Sequence, residues 1–234
     1  MPDICLILIV QKDKVLLHSD SNVSCLLAAI AGYVDAYGYL TIKTYLSFMS
    51  GNTTQLGFSI IQGSMTATLA TFTAIVSFFT GIFLGNLLLQ TKSQKRAWIS
   101  LAPTVLLLTI YLAAANFTKL SIELTIVLLS LAMGFMNTAV SKVGNQSVNP
   151  DFVTGTINRM AQHLAFAVHT KYPEDSLGAE DTHLTRFLML LKIWLCFLSG
   201  SAISALISHE LNSFTIAIPL LILLPICVYR SRRY

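Results

Sequence analysis

Five stretches of this chain, residues 44–91, 97–118, 124–141, 193–209 and 211–229, contain no Asp, Glu, Lys or Arg. A helix that crosses a hydrocarbon core of roughly 30 Å needs about 17 to 25 predominantly apolar residues, and these stretches are long enough to supply them. Charged residues make up 11% of the chain and apolar ones 54%, against roughly 25% charged in a soluble domain. So few charges cannot cover a water-exposed surface. The expectation is an all-α integral membrane protein built as one compact helical domain.

Taken in order, the apolar windows predict six transmembrane helices, at 23–40, 65–89, 98–115, 124–142, 184–208 and 211–229. Residues 1–22 read as a cytoplasmic or interfacial leader. Their apolar part, residues 4–10, is too short to span, and Lys12 and Lys14 follow it rather than precede it, unlike a cleaved signal peptide. Cytoplasmic loops are enriched in Lys and Arg. With the amino terminus inside, the inner segments collect Lys12, Lys14, Lys92, Lys95, Arg96, Lys142, Arg159, Lys171, Arg186 and the tail arginines of residues 230–234, leaving Lys43 and Lys119 outside. Both termini are therefore expected in the cytoplasm. The net charge of +4 lies in short juxtamembrane clusters, which fits a lipid bilayer as partner and not nucleic acid.

One carboxylate interrupts this pattern. Asp35 falls inside the first span, beside the small residues Ala28, Gly32 and Ala36, which recur every four residues. Small residues at that interval let membrane helices approach closely, so Asp35 is expected to face protein. An ionisable group at such depth costs several kcal/mol, about 2.5 to 3.5 on insertion scales, and marks a functional site by default. A polar, uncharged break follows as Ser50, Gly51, Asn52 and Thr53, where Ser50 is expected to cap a helix starting at Gly51.

The second half carries a blurred copy. A shift of 102 residues brings Ala28, Gly32, Asp35 and Ala36 onto Ser130, Gly134, Asn137 and Thr138. A shift of 104 brings Ser50, Gly51 and Asn52 onto Thr154, Gly155 and Thr156, and one of 119 brings Ser77, Gly81 and Gly85 onto Cys196, Gly200 and Ser204. Three spans per half make the second copy enter from the opposite side. The expectation is a 3+3 inverted-topology repeat, residues 23–116 and 122–229, with polar helix breaks after spans one and four and a site near the midplane where the halves meet. Asp35 and Asn137 are its expected centre. Ser50, Gly51, Asn52, Thr53, Thr154, Gly155 and Thr156 offer hydroxyls and amides at helix starts, and Gly32, Gly81, Gly85, Gly134 and Gly200 are expected packing positions. Lys192, two turns into the fifth span, is expected to snorkel towards the cytoplasm rather than pair with Asp35.

No catalytic constellation stands out. His163, His169, His183 and His209 lack metal-ligand spacing, Cys5, Cys25, Cys196 and Cys227 lack metal or disulfide spacing, and there is no phosphate loop, dinucleotide fingerprint or serine elbow. No cofactor and no metal are expected.

Gly32-Tyr33-Val34-Asp35-Ala36, with Phe48-Met49-Ser50-Gly51-Asn52-Thr53-Thr54-Gln55-Leu56-Gly57, resembles the signature of the YoaK-like bacterial membrane proteins, a family of unknown function. Met133-Gly134-Phe135-Met136-Asn137 and Thr154-Gly155-Thr156 are similar to its second block. The likeness covers residues 26–228, with Ser50 in place of a Thr and a longer leader. It implies six spans in a bacterial inner membrane and implies no substrate or cofactor. The leading functional expectation is a small secondary transporter or permease for a small polar or ionic substrate, with Asp35 loading and releasing a proton or cation. The competing expectations are a structural or assembly protein, and an intramembrane enzyme acting on a lipid through Asp35 and His163. Two three-helix halves make a slender bundle, of which a homodimer would bury more.

Overall fold

The computed structural model describes residues 2–91, 97–118, 120–139, 142–143, 146–147 and 152–233. Among them the chain is helical almost throughout: α1 Pro2–Ile42, α2 Met49–Ile61, α3 Met65–Thr91, α4 Leu101–Phe117, α5 Ile122–Asn137, α6 Val153–His169, α7 His183–Leu211 and α8 Ala217–Arg233. A two-residue antiparallel ladder, β1 Lys142–Val143 with β2 Gln146–Ser147, lies between α5 and α6.

Three of these helices are long and apolar enough to cross a membrane, over Ser21–Ile42, Met65–Gln90 and His183–Ser208. Three shorter apolar helical stretches, Leu101–Phe117, Ile122–Asn137 and Asn212–Val228, accompany them. In α1, 61% of the apolar window is buried, against 28% in α3 and 22% in α7. α1 is therefore the central helix, and the outer faces of α3 and α7 are left for lipid. Leu27, Ala28, Ile30, Ala31 and Val34 are all buried, as expected of a helix that is apolar on every side.

The closest helix pairs are α1 with α7 and α3 with α5. Both are made by glycines meeting backbone. In the first pair Gly32 faces the Phe197 carbonyl and Gly200 faces the Ala29 carbonyl; in the second Gly134 faces the Phe78 carbonyl and Gly81 faces the Leu131 carbonyl. A Cβ at Gly85 would lie 2.6 Å from Thr138 Oγ1. Lipid gives apolar side chains no drive to leave it, so such close van der Waals approach and interhelical hydrogen bonds supply the cohesion. Ser201 Oγ adds one, donating to Gly32 O at 3.0 Å. Tyr33 Oη donates to Thr215 O at 3.0 Å, and the Tyr37 and Tyr111 hydroxyls are 2.6 Å apart. These bonds tie α1 to α4 and to the 3-10 turn Asn212–Ile216.

Several boundaries differ from the sequence reading. Residues 2–22, expected as a separate leader, continue α1 as one helix back to Pro2. The fourth span, expected to reach residue 142, stops at Asn137, so Asn137 is the last residue of α5 rather than a mid-span residue. Lys192 Nζ donates to Asn22 Oδ1 at 3.0 Å, at the start of the described apolar part of α1 and away from Asp35. Lys92, Lys95, Arg96, Lys119 and the Asn149-Pro150-Asp151 turn lie outside the described residues.

Candidate functional site

α1 ends when Lys43 takes a left-handed backbone conformation, φ 54°, turning the chain back along the helix it has just left. This return brings three consecutive amides to Asp35. Leu46 N and Ser47 N donate to Asp35 Oδ1 at 2.8 and 2.7 Å, Phe48 N donates to the same oxygen at 3.2 Å, and Ser47 Oγ donates to Oδ2 at 2.8 Å. Successive amides converging on one anion form a nest, and the positive end of α2 lies directly behind it. Asp35, 3% exposed, is thus the acceptor that holds the start of α2.

The break expected to start with Ser50 is organised differently. α2 begins at Met49, its N-cap is Phe48 with no side-chain cap, and Ser50 is exposed. The capping group comes instead from α1, thirteen residues before Phe48. Gly51 lies under the Phe48 ring, where a Cβ would be 2.6 Å from Cδ1. Asn52 is fully buried and clamps the backbone of Tyr45 from both sides: Oδ1 accepts Tyr45 N at 3.1 Å and Nδ2 donates to Tyr45 O at 2.7 Å. Thr53 Oγ1 donates to Met49 O at 2.8 Å, so its hydroxyl serves its own helix.

Among the described residues, the start of α6 has a local geometry similar to that of α2. α6 begins at Val153 after Phe152, again without a side-chain cap. Phe48 has φ −79°, ψ 77° and Phe152 has φ −92°, ψ 71°. Gly155 lies against the Phe152 ring. Thr154 is exposed, as Ser50 is, and Thr156 is buried, as Asn52 is. Thr154 therefore does not cap α6, and Thr156 Oγ1 donates to Phe152 O at 3.0 Å. Asn137 is half-buried; among the described residues the donors to Asp35 lie at Leu46, Ser47 and Phe48.

A second polar cluster has no signal in the sequence spacing. His163 of α6 and His183 at the start of α7 place their Nδ1 atoms 3.0 Å apart, and His163 Nε2 lies 2.8 Å from Gln146 Oε1 of β2. Beside them Arg186 donates from Nε to Asp181 Oδ1 at 2.7 Å, from Nη2 to Asp181 Oδ2 at 2.8 Å and from Nη1 to Asp175 Oδ1 at 2.9 Å. Burial, the neighbouring His183 and the Arg186 charge hold His163 below the usual histidine range. The Arg186 hydrogen bonds hold Asp181 below the usual carboxylate range. Twenty residues separate the two histidines in sequence, and only the folding of α6 against α7 joins them. Among the described residues no three His, Cys, Asp or Glu side chains converge as a metal-ligand set.

The family model described as a protein of unknown function, DUF1275, matches residues 23–229. Among curated relatives, the chain is similar to UPF0700 transmembrane protein YoaK of Bacillus subtilis (strain 168), 25% identical over 205 residues that cover 85% of this chain and 88% of the relative. It is also similar to UPF0700 transmembrane protein RA0705 of Rhizobium meliloti (strain 1021), 26% identical over 213 residues, 89% of this chain and 87% of the relative. No solved structure matches the chain. The resemblance to YoaK-like proteins read from the Asp35 and Asn52 blocks thus extends over nearly the whole chain, and together with its apolar helices it makes this a membrane protein of the DUF1275 family.

Proposed function

We propose that the chain is a small secondary transporter or permease, with a site around Asp35 and Asn137 and with Asp35 as the proton- or cation-coupling group. The observation that carries this reading is the bond set of Asp35: a carboxylate in the most buried helix holds the amides of a helix break, so its charge state and the geometry of the break are linked. Charge-assisted hydrogen bonds are roughly twice as strong as neutral ones. Protonation or cation binding at Asp35 therefore weakens the hold on Leu46, Ser47 and Phe48 and lets the corner between α1 and α2 move. The polar residues Ser50, Gly51, Asn52 and Thr53 move with it. Thr154, Gly155 and Thr156 are the matching segment on the other side.

The proposal includes six spans arranged as a 3+3 inverted repeat, residues 23–116 and 122–229. It is supported by the paired glycine approaches: the shifts of 102 and 119 residues carry the Gly32–Phe197 and Gly200–Ala29 contacts onto Gly134–Phe78 and Leu131–Gly81. It is supported as well by the matching starts of α2 and α6 at Phe48 and Phe152. In this arrangement the protein lies in a bacterial inner membrane with both termini cytoplasmic, α2 towards the outside and α6 towards the inside, and a homodimer covers more of the slender bundle.

The completeness of the Asp35 bond set also favours a second reading, a structural or assembly protein in which the carboxylate only fixes the α1–α2 corner. Proton flux into vesicles containing the purified protein, measured over a panel of small polar and ionic solutes for wild type and Asp35→Asn, separates the two. Solute-dependent flux that is lost in a folded Asp35→Asn variant supports transport. Equal flux in both proteins overturns the coupling role, and destabilisation without flux in either favours the structural reading.

A further inference from the structure

The Lys43 turn that delivers the amides to Asp35 also shapes a cleft on its other side. Its volume is about 450 Å³, and its walls include Tyr39, Lys43, Tyr45, Phe48, Ser50 and Gln55. That volume lies within the range of small-molecule sites, roughly 300 to 1,000 Å³. The aromatic wall is built rather than incidental: the Tyr39 and Tyr45 rings stack with centroids 4.8 Å apart at 17°, and Phe48 meets Tyr45 edge-on at 5.2 Å and 89°. Asn52 holds Tyr45 in place through its backbone, and Gln55 Nε2 holds the Lys43 carbonyl at 3.1 Å. Both lips of the cleft are thereby fixed to the first turns of α2.

Charge gives the cleft its sign. The Lys43 ammonium stands 5.7 Å from the Tyr39 ring centre and has no carboxylate partner among the described residues. Asp35, the acid on the far side of the loop, is sealed at 3% exposure with its oxygens committed to four donors. Ser50 and the tyrosine hydroxyls add neutral hydrogen-bonding groups. Lys43 itself occupies a left-handed conformation, which costs an ordinary residue of order 1 kcal/mol and costs glycine nothing. Strain of this kind concentrates at ligand clamps and switches. Here it places a cation over an aromatic ring at the mouth of the candidate transport route.

We propose that this cleft binds a small organic carboxylate with an aromatic body, its carboxylate towards Lys43 and its body in the angle between the Tyr45 and Phe48 rings. The ring-lined angle selects an apolar body of ring size, and the ammonium, without a carboxylate partner among the described residues, selects an anion. The site deepens the permease reading and rests on it for its purpose, as the outer mouth of the route past Asp35.

The test uses the full-length protein in phosphatidylcholine nanodiscs, titrated with sodium benzoate and followed by saturation transfer to the benzoate ring protons. Benzamide supplies the ring without the charge, and acetate the charge without the ring. The expected result is saturable benzoate binding that Lys43→Arg retains and Lys43→Gln weakens about fivefold, the loss of one partly exposed charge contact. Benzamide and acetate are expected to bind wild type at least fivefold more weakly than benzoate. Equal benzoate binding by wild type and Lys43→Gln, or no saturable binding, overturns the proposal. So does protection of Lys43 from an acylating reagent by phosphatidylglycerol but not by benzoate, which assigns the cleft to lipid headgroups. Benzoate binding without proton flux overturns the permease reading and leaves this site standing; flux without benzoate binding does the reverse.

Discussion

Ser47 donates twice to Asp35, its backbone N–H to Oδ1 at 2.7 Å and its hydroxyl to Oδ2 at 2.8 Å, so one residue of the returning chain engages both oxygens of a carboxylate on the helix it returns along. This two-point contact fixes the direction in which the chain leaves α1. Removing the acid is expected to cost more than removing its charge. Asp35→Ala leaves two buried amides, the part-buried Phe48 amide and a buried hydroxyl without an acceptor, at about 1–3 kcal/mol for each buried bond left unmade, and a total loss of about 3–5 kcal/mol is expected after partial relaxation. Asp35→Asn keeps a carbonyl oxygen for the amides and should lose about 1–2 kcal/mol. Reversible unfolding in mild detergent checks the order, and equal stability of the two variants would show that the amides find other acceptors.

Gly32 and Gly134 face carbonyls of Phe197 and Phe78 in the same manner, so Gly32→Val and Gly134→Val are expected to fail to similar degrees. Overpacking costs about 1–3 kcal/mol and more where backbone must move, as it must here. Gly57 is the control: a Cβ there meets nothing within 4 Å, and Gly57→Ala should be neutral or stabilise α2 by about 0.5–1 kcal/mol. Yield of monodisperse protein and midpoint of unfolding give the comparison.

The histidine cluster predicts a loss of stability on acidification near neutrality. His163 faces His183, Arg186, Asp175 and Asp181, with Gln146 on its other nitrogen. Its folded value is held below its ordinary value of 6.5, so the unfolded chain takes up the proton first. The contribution is fully present above about pH 6.5 and is lost as pH falls from there through the lowered folded value. Asp181 acts lower: its stabilisation is present above its ordinary 3.8 and is lost as pH falls through its depressed value. His163→Gln should flatten the unfolding midpoint between pH 7.5 and 5.5 while leaving the acid limb below pH 4 intact.

Arg186 joins the start of α7 to the loop after α6 through Asp181 and Asp175, with only 8% of its side chain exposed. Arg186→Met leaves the half-covered Asp181 without its fork and should cost about 2–3 kcal/mol. Arg186→Lys restores the charge but not the two parallel bonds to Asp181, and is expected to recover only part of the loss. Thermal unfolding of both variants at pH 7.5 reads the difference.

The charge-free stretches determined the fold class by themselves, because a chain without charges over such lengths has no route to a water-facing surface, and the helices at Met65–Gln90 and His183–Ser208 fall where hydropathy puts them. The family was legible for a related reason: Asp35, Gly51 and Asn52 are residues whose chemistry is conspicuous against an apolar background. The role of each was not. Asp35 acquires its partners only because Lys43 reverses the chain and returns Leu46, Ser47 and Phe48 to it, whereas Ser50, with the better local capping chemistry, is left exposed. The meeting of His163 with His183 was likewise decided by packing between helices, and the end of α5 at Asn137 falls inside the charge-free stretch 124–141, where no charge marks it. Periodicity and composition report on the solvent around each segment. Which donor meets which acceptor depends on how the segments cross, and only the tertiary structure decides that.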